Sequence, residues 1–195
     1  MPQLPPLPPA PLPKPGPLAP VALFGTCVAA SAVLGAVTNA INGSVSPTYF
    51  VTILRWQGVQ DVWRACIAQG VFEGLATGVL LGLIVTVATG WISAGRMPAA
   101  RGVVLVLKIA ATAAVLWVVG GLIAMGLATL SPEFYRRAFI GVPEEPDAML
   151  RYAWVGGSIQ GVQFGGFVAT IVWLVIFRSA WLNEQRPAAG PDEAR

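Results

Sequence analysis

Apolar residues fall into four long blocks, at about 21–41, 65–92, 103–130 and 152–177, separated by shorter polar stretches. Each block meets the ~20 residues that a helix needs to cross a hydrocarbon core at 1.5 Å per residue. No charged residue occurs between Lys14 and Arg55. The pattern predicts an all-α integral membrane protein, a four-helix bundle over residues 21–182. Ser46-Pro47 closes the first block, since proline turns the preceding residue away from helical geometry. The segment after it mixes Tyr49, Phe50, Trp56 and Trp63 with Arg55 and Arg64, which suits a headgroup region and a short helix lying in it.

The second block carries small residues at every fourth position: Cys66, Gly70, Gly74, Gly78, Gly82, Thr86 and Gly90. On an apolar helix such a row lets a neighbouring backbone come close. Four positions advance a helix face by roughly 40°, so Gly70 and Gly74 are expected to meet one neighbour and Gly82 and Gly90 another. Ser31, Gly35, Asn39 and Gly43 form a similar row on the first helix. Glu73 is the only acid inside any apolar block, and Gln69, Glu73 and Thr77 form the ridge beside the glycines. A lone carboxylate in lipid must be protonated, paired or hydrated. With Gln69, Gln160, Gln163, Asn39 and Asn42, Glu73 makes a candidate intramembrane polar site. In the structural alternative, Glu73 bonds to Gln160 or Asn42, or pairs with Arg55 or Arg151.

The two halves resemble each other. Ser46-Pro47-Thr48-Tyr49-Phe50 matches Ser131-Pro132-Glu133-Phe134-Tyr135, and Gln69-Gly70-Val71 matches Gln160-Gly161-Val162. This alignment sets Gly70, Gly74 and Gly78 on Gly161, Gly165 and Ala169. It places six extra residues in the second loop and puts Phe164 at the position of Glu73. Repeats over about 21–92 and 103–177 would enter the membrane from the same side, and a pseudo-twofold axis along the membrane normal follows. With its SP-aromatic-aromatic motif, the stretch from Asn39 to about Gly82 resembles small multi-pass bacterial membrane proteins that carry an SPEYF-like motif. An HDQ-type triplet associated with such sequences is replaced here by Asn39, Asn42 and Gly43. The resemblance implies a bacterial inner-membrane setting and carries no activity and no functional residues.

Composition narrows the function classes. Of 195 residues 55% are hydrophobic and 11% charged, too little polar surface for a soluble fold of this length. With no histidine and no Cys, Asp or Glu clustered at ligand spacing, neither a metal site nor a cofactor is expected, and Ser46, Ser131, Tyr49 and Tyr135 lack a base. Cys27 and Cys66 read as small packing residues. Nucleic acid has no basic patch to bind. Residues 1–20 are proline-rich, with Pro6-Leu7-Pro8-Pro9 as a candidate PxxP ligand, and 183–195 form a polar tail. Seven Lys and Arg lie on the side of the termini and the 93–102 turn, with Lys108, against five in the two SP loops, which favours both termini in the cytoplasm. The leading expectation is a non-enzymatic scaffold in the lipid bilayer, a homo-oligomer or part of a larger membrane complex. It would pack through glycine-lined faces: Gly70, Gly74, Gly78, Gly82, Gly161 and Gly165. The alternative is a small proton- or cation-coupled transporter or channel using Glu73.

Overall fold

The computed structural model describes Gly16 and residues 18–185, so the PxxP motif and the tail beyond 185 lie outside the described residues. The described residues form six helices: α1 (Ala19–Val45), α2 (Pro47–Ile53), α3 (Val62–Ser93), α4 (Ala99–Leu130), α5 (Pro132–Ala138) and α6 (Pro146–Glu184). Four of them, α1, α3, α4 and α6, are long and apolar enough to cross a membrane, which makes a helical membrane bundle. Two of them, α3 and α6, begin before their apolar blocks because a capping residue lies upstream of each block. The Asp61 carboxylate accepts the Arg64 N–H at 3.0 Å to open α3. Glu145 accepts the N–H groups of Asp147 and Ala148 at 3.1 and 2.6 Å to open α6. α3 is 32 residues long. At 1.5 Å per residue that is about 48 Å, well beyond a hydrocarbon core of ~30 Å.

Each half is a helical hairpin with a short helix at its bend. α1 pairs with α3 along its length, and α4 pairs with α6. Both bends use the SP motif in the same way. Ser46 and Ser131 have nearly identical backbone angles, φ −147° and −145°, and each amide bonds at 3.0 Å to the carbonyl four residues back. α2 and α5 are seven residues each, with proline at the first turn, and each buries one aromatic, Phe50 or Tyr135. Burial pushes the Tyr135 phenol up to about 12, with Tyr49 adding to the shift. At the opposite end, the Lys108 ammonium lies 4.8 Å from the Trp173 ring centre and Arg101 pairs with Glu184 at 2.7 Å.

The glycine rows lie on the seam inside each hairpin. A Cβ at Gly35 would run into the Gly70 carbonyl, one at Gly70 into the Gly35 carbonyl, and one at Gly74 into the backbone of Ser31 and Ala32. Gly78 faces Val28, and Gly82 faces Phe24 and Cys27, so one neighbour, α1, takes the row from Gly70 to Gly82; Gly90 has open space. The row was expected to change partner along its length. It does not, because a partner that crosses along an i, i+4 ridge follows the drift of the row. The second seam repeats the first: Gly120 meets Gly157 and Gly161, and Gly161 meets Leu116 as Gly74 meets Ser31.

These contacts correct the alignment of the halves. Gly35 and Gly120 are 85 positions apart, while Gly70 and Gly157, Gly74 and Gly161, and Gly78 and Gly165 are each 87 apart. The second bend therefore carries two extra residues rather than six, and the matching QGV triplets are one helical turn out of step. The counterpart of Glu73 is Gln160, not Phe164. Sequence matching preferred the triplet because a glycine row repeats every four residues and reads almost equally well when slipped by one turn.

The hairpins are alike inside but are not related by a twofold axis. In α3 the ridge Glu73, Thr77, Leu81 and Val85 faces the centre, whereas the α6 counterparts Gln160, Phe164, Val168 and Val172 face outward. Conversely, Ile159, Val162 and Gly166 of α6 face the centre, whereas Phe72, Leu75 and Val79 are exposed. The front of the first hairpin thus packs on the back of the second. A twofold axis would have put matching faces together, and the residue pairs differ too much in size and polarity for that. Seam glycines and open glycines should respond oppositely to a methyl group. Gly74→Ala is expected to lower thermal stability in detergent by about 1–3 kcal/mol. Gly126→Ala, where a Cβ meets nothing within 4 Å, should be neutral or raise stability by up to about 1 kcal/mol.

Candidate functional site

Glu73 sits 11 residues into α3 from Val62, about 17 Å along the helix axis. The seam that brings Gly35 onto Gly70 also carries Asn39 of α1, one turn further on, up to the carboxylate. Gln69 Nε2 donates to Glu73 Oε1 at 2.9 Å, and Asn39 Nδ2 lies 3.5 Å from Oε2, at the long limit of a hydrogen bond. Asn39 is buried and Glu73 half-buried. An acid near the middle of a bilayer costs roughly 2.5–3.5 kcal/mol by insertion scales. A hydrogen bond to a charged group returns about 1.5–3 kcal/mol, so the short Gln69 bond offsets much of that cost.

The carboxylate borders a cavity of about 80 Å³ at the centre of the bundle, lined by residues of α1, α3, α4 and α6. That is room for several water molecules, each of which needs at least ~10–15 Å³. Apart from the carboxylate, its polar lining is Ser31, Thr38, Asn39, Thr77, Gln163 and Thr170. Thr38 and Thr170 donate their hydroxyl protons to the carbonyls of Leu34 and Gly166 one turn back, at 2.9 and 2.8 Å, which leaves oxygen lone pairs free to accept. Among the described residues the ion pairs are Arg64–Asp61 and Arg101–Glu184, so neither Arg55 nor Arg151 pairs with Glu73. The cavity thus offers one carboxylate, several neutral oxygens and no cationic side chain. Its field reaches the bend: burial raises the Tyr49 phenol above its ordinary range, and the Glu73 charge adds to the shift.

The six candidate polar residues divide into three places. Glu73, Asn39 and Gln69 form one hydrogen-bonded group, and Gln163 lines the same cavity from α6. Gln160 is exposed and lines a separate outer groove, so it does not bond to Glu73, because the front-to-back packing turns its side of α6 away from the centre. Asn42 is fully buried elsewhere, where its Oδ1 accepts from Ser158 Oγ at 3.0 Å between the hairpins. Sequence reasoning placed Ser31 and Thr77 on helix faces without adding them to the site, and passed over Thr38 and Thr170. Their small hydroxyls look like helix-packing residues until the neighbouring helix is in place.

Among the described residues, Ser158 is the one side-chain hydrogen-bond partner of Asn42, and the buried Asn42 Nδ2 has none. Ser158→Ala should therefore lower thermal stability by about 1–3 kcal/mol, the cost of stranding a buried polar group. Asn42→Leu added to it should recover part of the loss, as a two-by-two comparison of melting in detergent would show. Comparison with protein families, curated proteins and solved structures finds no match for this chain, so the reading of the site rests on its geometry.

Proposed function

We propose that this chain is a small, non-enzymatic transport or channel protein of a bacterial inner membrane. Glu73 would be the group that binds a proton or a small monovalent cation within the bundle. One observation carries the reading: the carboxylate opens on a central cavity of carboxylate, amide and hydroxyl oxygens, with no cationic side chain to neutralise it. A structural acid would be expected to have a fixed counter-charge or to be sealed by its partners. This one keeps a face on a space large enough for water. Oxygen ligands without histidine or thiolate suit a proton or an alkali cation rather than a transition metal.

The balance of Lys and Arg supports cytoplasmic termini, which puts the SP bends on the outer face and Glu73 nearer to that face. The glycine rows are closed within the hairpins, so a scaffold role would fall to the outer faces of the bundle.

Glu73→Gln keeps the shape and one amide-competent oxygen while removing the charge. Purified protein in liposomes, under imposed proton, sodium or potassium gradients, should show flux in the wild type. The variant should melt within a few degrees of the wild type and lose at least tenfold in flux. Absence of wild-type flux under all three gradients, or full flux in Glu73→Gln, would contradict the proposal.

A further inference from the structure

The front-to-back packing of the hairpins leaves one copy of each packing face unused. The first hairpin turns its front inward, and the second hairpin exposes the corresponding front. That exposed front is an open groove of about 600 Å³, and six of its lining residues are counterparts of central-cavity residues. Gly120, Ile123, Ala124, Gln160, Gly161 and Phe164 stand where Gly35, Thr38, Asn39, Glu73, Gly74 and Thr77 stand in the first hairpin. The second hairpin turns its back inward, and the first hairpin exposes the corresponding back, a ridge of Phe72, Leu75 and Val79 that is 42–69% accessible.

We infer that the groove on the second hairpin receives the α3 ridge of a second copy of this chain, continuing the internal stack from molecule to molecule. The internal contact shows what packs against such a groove, because Ile159, Val162 and Gly166 of α6 lie across its counterpart and line the cavity left there. Side-chain sizes are adjusted for the new contact. On the ridge, Phe72 replaces Ile159, Leu75 replaces Val162 and Val79 replaces Gly166, each larger than its counterpart. Facing them, Ala124 and Val168 replace the larger Asn39 and Leu81, while Ile123 and Phe164 stand in place of the smaller Thr38 and Thr77. Polarity is adjusted as well. The outer contact has Gln160 for Glu73 and Ala76 for Gln163, so it carries no charge that lipid must be displaced from. Lipid tails are as apolar as these side chains, so close packing rather than hydrophobicity must hold copies together.

The contact joins two different faces and is therefore heterologous. Its repetition closes into a ring or runs on as a row. It also names a contact pair. Inside the chain, a Cβ on Gly166 would lie 3.5 Å from Leu81 Cδ1. Between copies the equivalent pair is Val79 of one and Val168 of the next.

The test is disulfide trapping in native membranes with copper–phenanthroline, in a background with Cys27→Ala and Cys66→Ala. Val79→Cys combined with Val168→Cys should give dimers and a ladder of higher species. Each single variant should stay monomeric, and the two singles co-expressed should stop at dimers. Leu81→Cys with Gly166→Cys, which closes within one chain, serves as the positive control. A double variant that stays monomeric while the control closes would overturn the inference, and so would a single variant that dimerises as well as the double. If the cysteine-free background does not fold, photobleaching steps of labelled wild-type protein in dilute liposomes decide instead. Multiple steps per spot are expected, and single steps throughout would overturn it.

Discussion

Close backbone approach at the glycine seams is the constraint from which the other features of this bundle follow. In lipid there is no hydrophobic gain from pairing two helices, so a pair is held by contact distance and by the polar groups it brings together. At Gly35, Gly70 and Gly74 the backbones touch directly, and any side chain there would push α1 and α3 apart. The same arrangement at Gly120, Gly157 and Gly161 fixes α4 against α6. The hairpin, rather than the single helix, is thus the rigid unit, and the SP bend sets its geometry at one end.

The seam also positions the chemistry. Asn39 reaches Glu73 only because α1 lies close enough for a short amide side chain to cross the gap. Gln69, one turn back on α3, supplies the shorter bond. What distinguishes the two hairpins is the side that each turns inward. One contributes a carboxylate to the centre. In the other the matching position is an amide, Gln160, which faces out. The two hairpins are alike in their glycine seams and unlike in the faces they turn inward: one brings the carboxylate to the central cavity and the other lines the cavity across from it. The cavity exists because the packed faces differ, so that Gly166 and Thr170 of α6 leave space opposite Leu81, Thr77 and Glu73.

Four membrane helices were legible in the sequence because long apolar runs leave few alternatives, and Glu73 was conspicuous as the single acid inside them. The close-packing role of Gly70, Gly74, Gly78 and Gly82 was legible too, since residues without side chains in a lipid helix need a neighbour. Register was harder to read. A row that repeats every four residues gives nearly the same match after a slip of one turn, and only the contacts of Gly157 with Gly120 and of Gly161 with Leu116 fix it. The relative rotation of the hairpins was not legible at all. Phe72 and Ile159, or Val79 and Gly166, are apolar whether they meet lipid or protein, so hydropathy cannot tell the inner face from the outer. For the same reason Gln160 looked like a partner for Glu73. Asn42, read from the sequence as a neighbour of Glu73, bonds instead to Ser158 of α6.

The central claim is that the Glu73 carboxylate exchanges its proton or cation with the cavity. Infrared difference spectroscopy of the protein in lipid, recorded across pH with and without sodium or potassium, reads that carboxylate directly. The account predicts a carboxyl band that changes with pH or with cation in the wild type and is missing in Glu73→Gln. Identical difference spectra from the two proteins would contradict it.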